Sequence, residues 1–243
     1  MKNTCLSKII SDAETNRIKG FRNLLVFDLD STLFDVSHRS QKILQDFLTN
    51  PKFQLKYPTE LKQLELVNIH SSDWGIKSSI ERLNITPRPS PGFYLAIKEY
   101  WTERFFSDDY LLHDKPYPGA VNYINYFAKK TENDIVYLTG RDRQKMLKGT
   151  ETSLQQSKFP LKEKNITLEM KPNRTYSDTD FKCHWFHQIE KKHYADIWFF
   201  ENDPSNIQRV SSEHPQVQII FFESTHSGIV KSPSHLPKIS DYL

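Results

Sequence analysis

Five short apolar runs are spread along the chain, and their spacing constrains its fold more than any other feature. They occupy residues 24–29 (LLVFDL), 135–139 (IVYLT), 166–170 (ITLEM), 197–200 (IWFF) and 217–222 (VQIIFF). All but one are rich in aromatic or β-branched residues, and most are nearly continuous rather than alternating. Strands covered on both faces of a parallel sheet read this way. ITLEM alternates and predicts an edge strand. Helical patterns separate the last four runs, so the chain is read as repeated βα units forming an open, doubly wound α/β sheet.

More than a hundred residues separate the first two runs, far more than one crossover helix needs. The stretch from Leu112 accounts for part of this gap, with a turn at residues 115–119 (KPYPG) and a helix AVNYINYFAKK. The remainder, residues 37–111, carries helical patterns of its own. SHRSQKILQDFL offers Ser37 as an N-cap and an apolar face at Ile43, Leu44, Phe47 and Leu48. TELKQLELV and IKSSIERL read as further helices, and FYLAIKEYWTERFF as a longer one after the Pro-rich stop TPRPSPG. The expected organisation is an N-terminal tail or short helix over residues 1–20, an α/β core from residues 21–36 and 112–243, and a helical cap inserted over residues 37–111.

A chain of 243 residues, 37% hydrophobic and 26% charged, buries one full-sized core and leaves enough for a small accessory domain. No apolar run approaches the ~20 residues of a membrane span, and the N-terminus lacks the uninterrupted apolar stretch of a secretory signal. Cys5 and Cys183 are too few for a disulfide framework. These features predict a cytoplasmic protein without a membrane partner. The net charge of +3 comes from 33 basic against 30 acidic residues without a basic block, so no nucleic-acid partner is expected.

The first run leads into Asp28-Leu29-Asp30-Ser31-Thr32. Carboxylates two residues apart at a strand end point the same way, at the edge where open α/β sheets place ligands. One can attack phosphorus to form an aspartyl-phosphate, and the other can protonate the leaving alcohol and then activate water. The competing reading is a solvated turn, where Asp, Ser and Thr are common.

VFDLDSTLFD resembles the first signature of the haloacid dehalogenase (HAD) superfamily: an apolar strand, Asp-x-Asp-x-Thr, then a short flap. Asp35 and the residues after it stand where members of that family leave the core for a cap. The resemblance implies a three-layer Rossmannoid core with a mostly parallel five-stranded sheet and a small all-α cap. It covers residues 22–36 and 115–243, because three further family elements follow in order.

VYLTGRD is the second element. Family practice assigns the phosphate contact to Thr139, at an expected helix start, and Gly140 would let backbone approach a ligand closely. Arg141 reads equally as a further phosphate contact or as a surface charge. The third is a lysine on the helix after the third strand. Lys182 in SDTDFKCHWFHQIEKK fits, with Asp178 or Asp180 as cap, and Lys171 competes. The fourth, WFFENDPSN, has Glu-Asn-Asp where the family has Asp-Asp or Gly-Asp. Register on the apolar run favours Asp203 as metal ligand, with Glu201 serving directly or through water. The implied cofactor is Mg2+, held by the Asp28 carboxylate, the Asp30 carbonyl and Asp203.

The implied activity is magnesium-dependent hydrolysis of a small phosphorylated substrate, with Asp28 and Asp30 catalytic and Thr139 and Lys182 binding phosphate. Related proteins act as dehalogenases, phosphomutases or phosphonatases; Asp30 disfavours the first, and no cap lysine is recognisable for the last. A non-catalytic phosphate binder is the rival that Glu-Asn-Asp favours. The remaining polar features carry weaker readings. Cys183, His184, His187 and His193 read as a helix packing through Trp185, Phe186 and Ile189, not as a zinc site. His226 and Ser227 read as a loop, and His38, Arg39, Trp74, Arg88 and Trp101 as unassigned cleft or cap residues.

Overall fold

The apolar runs become strands because each alternates its side chains between two buried layers. The computed structural model describes residues 4–84, 88–189 and 193–243. Thr86 and Pro87 of the Pro-rich stop, and residues 190–192 at the end of the lysine-bearing helical pattern, lie outside them.

The strands are β1 (Arg22–Phe27), β4 (Asn133–Asp142), β5 (Ile166–Lys171), β6 (Tyr194–Glu201), β7 (Gln218–Phe222) and β8 (Lys238–Ile239), in spatial order β5-β4-β1-β6-β7-β8. All five pairings are parallel. ITLEM takes the edge that its alternation predicts. The expectation of five strands is corrected to six, because β8 is two residues long and a pair leaves no periodicity to detect.

Leu25, Phe27, Ile135, Tyr137, Trp198, Phe200, Ile220 and Phe222 face one layer, built on α1 (Thr4–Ile18) and α7 (Ala120–Ala128). Leu24, Val26, Val136, Leu138, Ile197, Phe199, Ile219 and Phe221 face the other, built on α9 (Asp178–Gln188) and α10 (Pro204–Glu213). Each large apolar side chain so buried contributes ~1.5–3 kcal/mol. The N-terminal segment is not a separate tail. Leu6, Ile9 and Ala13 of α1 join the first layer, so the helix is part of the core. A further helix, α8 (Arg143–Gln156), follows β4.

Between β1 and β4 the chain leaves through β2 (Phe34–Asp35) and returns through β3 (Lys115–Pro116), which pair antiparallel and tie the neck of the insert. The expected turn at 115–119 therefore begins as a strand. The insert holds α2 (Ser37–Leu48), α3 (Pro51–Lys56), α4 (Pro58–Leu64), α5 (Gly75–Arg82) and α6 (Pro91–Phe105). These pack around a small core of their own that includes Leu44, Phe47, Leu61, Ile76, Phe93 and Ile97. Ser37 does not cap α2. Val36 occupies the cap position, and the Asp35 carboxylate accepts from the Ser37 N–H at 2.9 Å. A 3-10 turn at Asp108–His113 re-enters the core, where Leu111 packs with Met146 and Met170.

Gly119 caps α7 with φ of +80°, and a Cβ there would fall on the Tyr242 carbonyl. Gly20 has φ of +79° and open space around it. Gly119→Ala should cost roughly 1–3 kcal/mol more than Gly20→Ala, because both pay the backbone strain and only one pays the clash. Denaturant midpoints measure both, and equal losses would contradict this packing.

Candidate active site

The parallel strands end on one side, and Asp28 follows β1 there. Its N–H donates to the Phe200 carbonyl at 3.0 Å, which sets it level with Glu201, the last residue of β6. Both carboxylates are buried among apolar strand ends. Lys182 reaches them from α9, donating to Asp28 Oδ1 and to Glu201 Oε2 at 2.6 Å each. Burial opposes charge on the ammonium, and the two carboxylates outweigh it, so its pKa is raised. Burial pushes Asp28 up to about 8; Lys182 works against that rise and Glu201 adds to it.

Ser177, not Asp178 or Asp180, caps α9 by accepting from the Asp180 N–H. Lys171 pairs with Asp178 instead of reaching Asp28. The bare Cα of Gly140 gives room to that same Asp178 carboxylate rather than to a ligand, since a Cβ there would overlap it. The structure thus separates the two competing lysines.

Glu201 has little capacity left. Its Oε2 also accepts from Asn206 at 3.1 Å, and its Oε1 accepts the N–H groups of Asn202 and Asp203 at 2.9 Å each. Asp203 caps α10 through Oδ1, which accepts from the Ser205 N–H at 2.7 Å. Asn202 Oδ1 accepts from the Thr32 hydroxyl at 3.2 Å.

Asp30 has a different environment. Its Oδ1 accepts from Arg39 at 2.8 Å and from Arg141 at 2.9 and 2.5 Å. Both guanidiniums also bond Asp114, whose carboxylate is fully enclosed. Arg39 lies over the Phe105 ring at 4.1 Å and donates to the Phe105 carbonyl, so the clamp links core to insert. Burial would raise the Asp30 pKa, but the arginines override it and hold it down at about 2. Arg141 is not a surface charge; it is buried in this clamp.

Thr139 lies in β4, which runs three residues beyond it, so it does not start a helix as expected; Asp142 caps α8. Its Oγ1 accepts from the Arg141 N–H at 3.2 Å, which leaves the hydroxyl proton to donate. Asp28, Asp30, Thr139, Lys182, Glu201 and Asp203 all line one cavity of about 880 Å³, closed on the insert side by residues that include Trp74 and Trp101. Ser227 also lines it. His226 bonds Ser232, while Arg88 and His38 are exposed.

Asp114 escaped the sequence reading because nothing around it distinguishes it from an ordinary turn acid. Arg39 and Arg141 had no visible partner, since Asp114 lies 75 and 27 residues away from them.

The charges do not balance at Asp28. Arg39 and Arg141 neutralise Asp30 and Asp114, whereas among the described residues Lys182 alone pairs with Asp28 and Glu201. Asp28, Asp203 and Asn202, each with side-chain oxygens, line the cavity beside that excess negative charge. An all-oxygen set with surplus negative charge fits a hard divalent cation.

Replacing Arg141 with Met should destabilise the protein by roughly 3–5 kcal/mol, because Asp30 and Asp114 would then share one guanidinium. Chemical denaturation tests this, and a loss under ~1 kcal/mol would contradict the clamp.

No protein-family model matches the chain, and no curated protein matches it. Solved structures do. A candidate phosphatase from Clostridium difficile superposes with a TM-score of 0.51 at 15% identity, over 83% of this chain and 85% of that one. A HAD-superfamily hydrolase of subfamily IA from Geobacter sulfurreducens gives 0.51 at 9% identity, over 91% and 93%. A magnesium-bound candidate HAD hydrolase from Bacillus subtilis gives 0.50 at 12% identity, over 91% and 95%. The sheet order, the helices on both faces and the helical insert after the first strand are the HAD-like Rossmannoid fold, and this chain has it.

Proposed function

We propose that this protein is a magnesium-dependent phosphomonoester hydrolase that works through an aspartyl-phosphate on Asp28, with a small phosphorylated molecule as substrate. The observation that carries the reading is the buried pair of Asp28 and Lys182 at the end of the central strand, with Asp30 two residues on and facing the same cavity.

In the first step an Asp28 oxygen bonds to phosphorus as the bond to the leaving oxygen breaks. In the second, water attacks phosphorus, the bond to Asp28 breaks and phosphate leaves. Lys182 spends two of its three N–H groups on Asp28 and Glu201, so the third is available to a phosphoryl oxygen. The Thr139 hydroxyl donates to another. Catalysis by such a site is mostly positioning and electrostatics.

Asp30 takes the proton of the attacking water. The arginine clamp keeps Asp30 ionised, so it stands ready as a proton acceptor, though a weak base, and carries no proton to give the leaving group. Esters with acidic leaving groups, which need no proton, are therefore the favoured substrates of this arrangement.

Asp28, the Asp30 carbonyl and Asp203 would hold the magnesium ion, with Glu201 acting through water because its oxygens already accept four hydrogen bonds. Bound there, the ion would offset the surplus negative charge and screen the phosphoryl oxygens from Asp28. The similar structure from Bacillus subtilis, solved with magnesium, supports this choice.

The helical segment serves as a cap over the cavity. A space of about 880 Å³ shared between core and insert suits a small molecule better than a phosphoprotein surface.

Asp28→Asn should abolish phosphate release from p-nitrophenyl phosphate while far-UV circular dichroism stays unchanged, and EDTA should silence the wild type until Mg2+ is restored. Full activity in the variant would refute the nucleophile. No turnover with any divalent ion would favour the non-catalytic binder to which Glu201-Asn202-Asp203 points.

A p-nitrophenyl ester should also outpace an alkyl phosphate ester by at least about tenfold in kcat/KM, which reports the step that breaks the leaving-group bond, because Asp30 carries no proton to give. Equal rates would remove the assigned role of the clamp.

A further inference from the structure

Behind the cavity, α9 and α10 bring together four side chains that the proposed reaction does not use. Cys183 and His187 stand one helical turn apart on α9, while Glu213 ends α10 and His214 follows it. One ligand atom from each lies within 4.8 Å of all the others. Cys183 Sγ is 3.0 Å from Glu213 Oε2, 3.5 Å from His214 Nε2 and 4.0 Å from His187 Nε2. His187 Nε2 is 2.9 Å from Glu213 Oε2.

We propose that Cys183, His187, Glu213 and His214 form a four-coordinate zinc site that pins α9 to the end of α10. A tetrahedral zinc with bonds of ~2.3 Å to sulfur and ~2.0–2.1 Å to nitrogen or oxygen sets its donors ~3.3–3.6 Å apart. Four of the six separations run from 2.9 to 4.0 Å around that spacing, and the other two lie within 4.8 Å, so the donors would draw together around the ion.

The charges also fit. One thiolate and one carboxylate neutralise Zn2+, and the two imidazoles bind as neutral ligands. On binding, the thiol loses its proton to solvent, the His214 proton moves from Nε2, where it meets the Cys183 carbonyl at 3.1 Å, to Nδ1, and the bonds of Glu213 to Cys183 and His187 are exchanged for bonds to the metal.

The surroundings are those of a built site. Cys183 and His214 are 2% and 1% exposed, and Phe186 packs against the His214 ring at 5.7 Å. Arg209 pairs with Glu213 Oε1 and also bonds Cys183, so its guanidinium would leave the sulfur and keep only the Oε1 contact when the ion binds. His184, on the same helix, is turned to Gln188 and takes no part.

The sequence showed only half of this set. Cys183 and His187 are visible as neighbours, but Glu213 and His214 lie some 30 residues further on and are brought over by the α9–α10 packing. Cys183 adjoins Lys182, and α10 carries Asn206 on Glu201, so zinc would brace the two helices that present those groups. The site does not depend on the phosphatase reading.

The test uses the purified full chain, stripped with EDTA and titrated with Zn2+ against a chromophoric chelator, and separately with Co2+. Wild type and Asp28→Asn should each bind Co2+ with a thiolate-to-metal charge-transfer band and the strong visible absorption of a tetrahedral ion. Cys183→Ser should lose the charge-transfer band. His187 is half exposed, so His187→Ala keeps the fold and should weaken Zn2+ binding at least about tenfold. Absence of the band in wild type, its persistence in Cys183→Ser, or unchanged zinc affinity in His187→Ala would each overturn the site.

Discussion

The ammonium of Lys182 holds the centre of this structure together. It sits between the Asp28 and Glu201 carboxylates at 2.6 Å from each, with all three groups enclosed where the central strands end. Without that cation, two buried carboxylates would face each other across β1 and β6, an arrangement whose desolvation cost is several kcal/mol per ion. The helix that carries Lys182, the register that sets Asp28 beside Glu201, and the Asn206 contact from α10 all converge on one neutralisation. The sheet is built so that its carboxyl edge can be charged.

The clamp around Asp30 obeys the same rule with the opposite result. Two guanidiniums serve two carboxylates there, so Asp30 stays ionised while burial raises Asp28. Two aspartates separated by a single leucine thus occupy different electrostatic environments. Through Arg39 and the Phe105 contacts the clamp also couples the helical insert to the acids at the cavity floor.

Much of the fold was legible because burial on both faces leaves a mark that short sequence windows detect. The five apolar runs, the edge position of ITLEM and four helices of the insert follow from local periodicity, whereas α3 is six residues long and too short to show one. Where a signal was local but ambiguous, the structure altered the detail. Asp35 and Ser177 serve α2 and α9 where Ser37, Asp178 and Asp180 had been expected, and Gly140 makes room for Asp178. Among the proposed site residues, Asp28, Asp30, Thr139, Lys182, Glu201 and Asp203 were all named from their order along the chain and share one cavity, which Arg141 also lines from its place in the clamp.

What the sequence determined by itself was the five long strands of the sheet and the acids that follow them, because a buried apolar run and the residues next to it are local properties. What tertiary structure alone decided was pairing. Asp114 meeting Arg39 and Arg141, Lys182 rather than Lys171 meeting Asp28, and Cys183 meeting Glu213 and His214 all join residues far apart in the chain. A charged or metal-binding side chain shows its chemistry in the sequence but not its partner, since the partner is set by how helices pack onto the sheet. The two-residue β8 belongs to the same class: it is a strand only because Phe221 and Phe222 lie beside it.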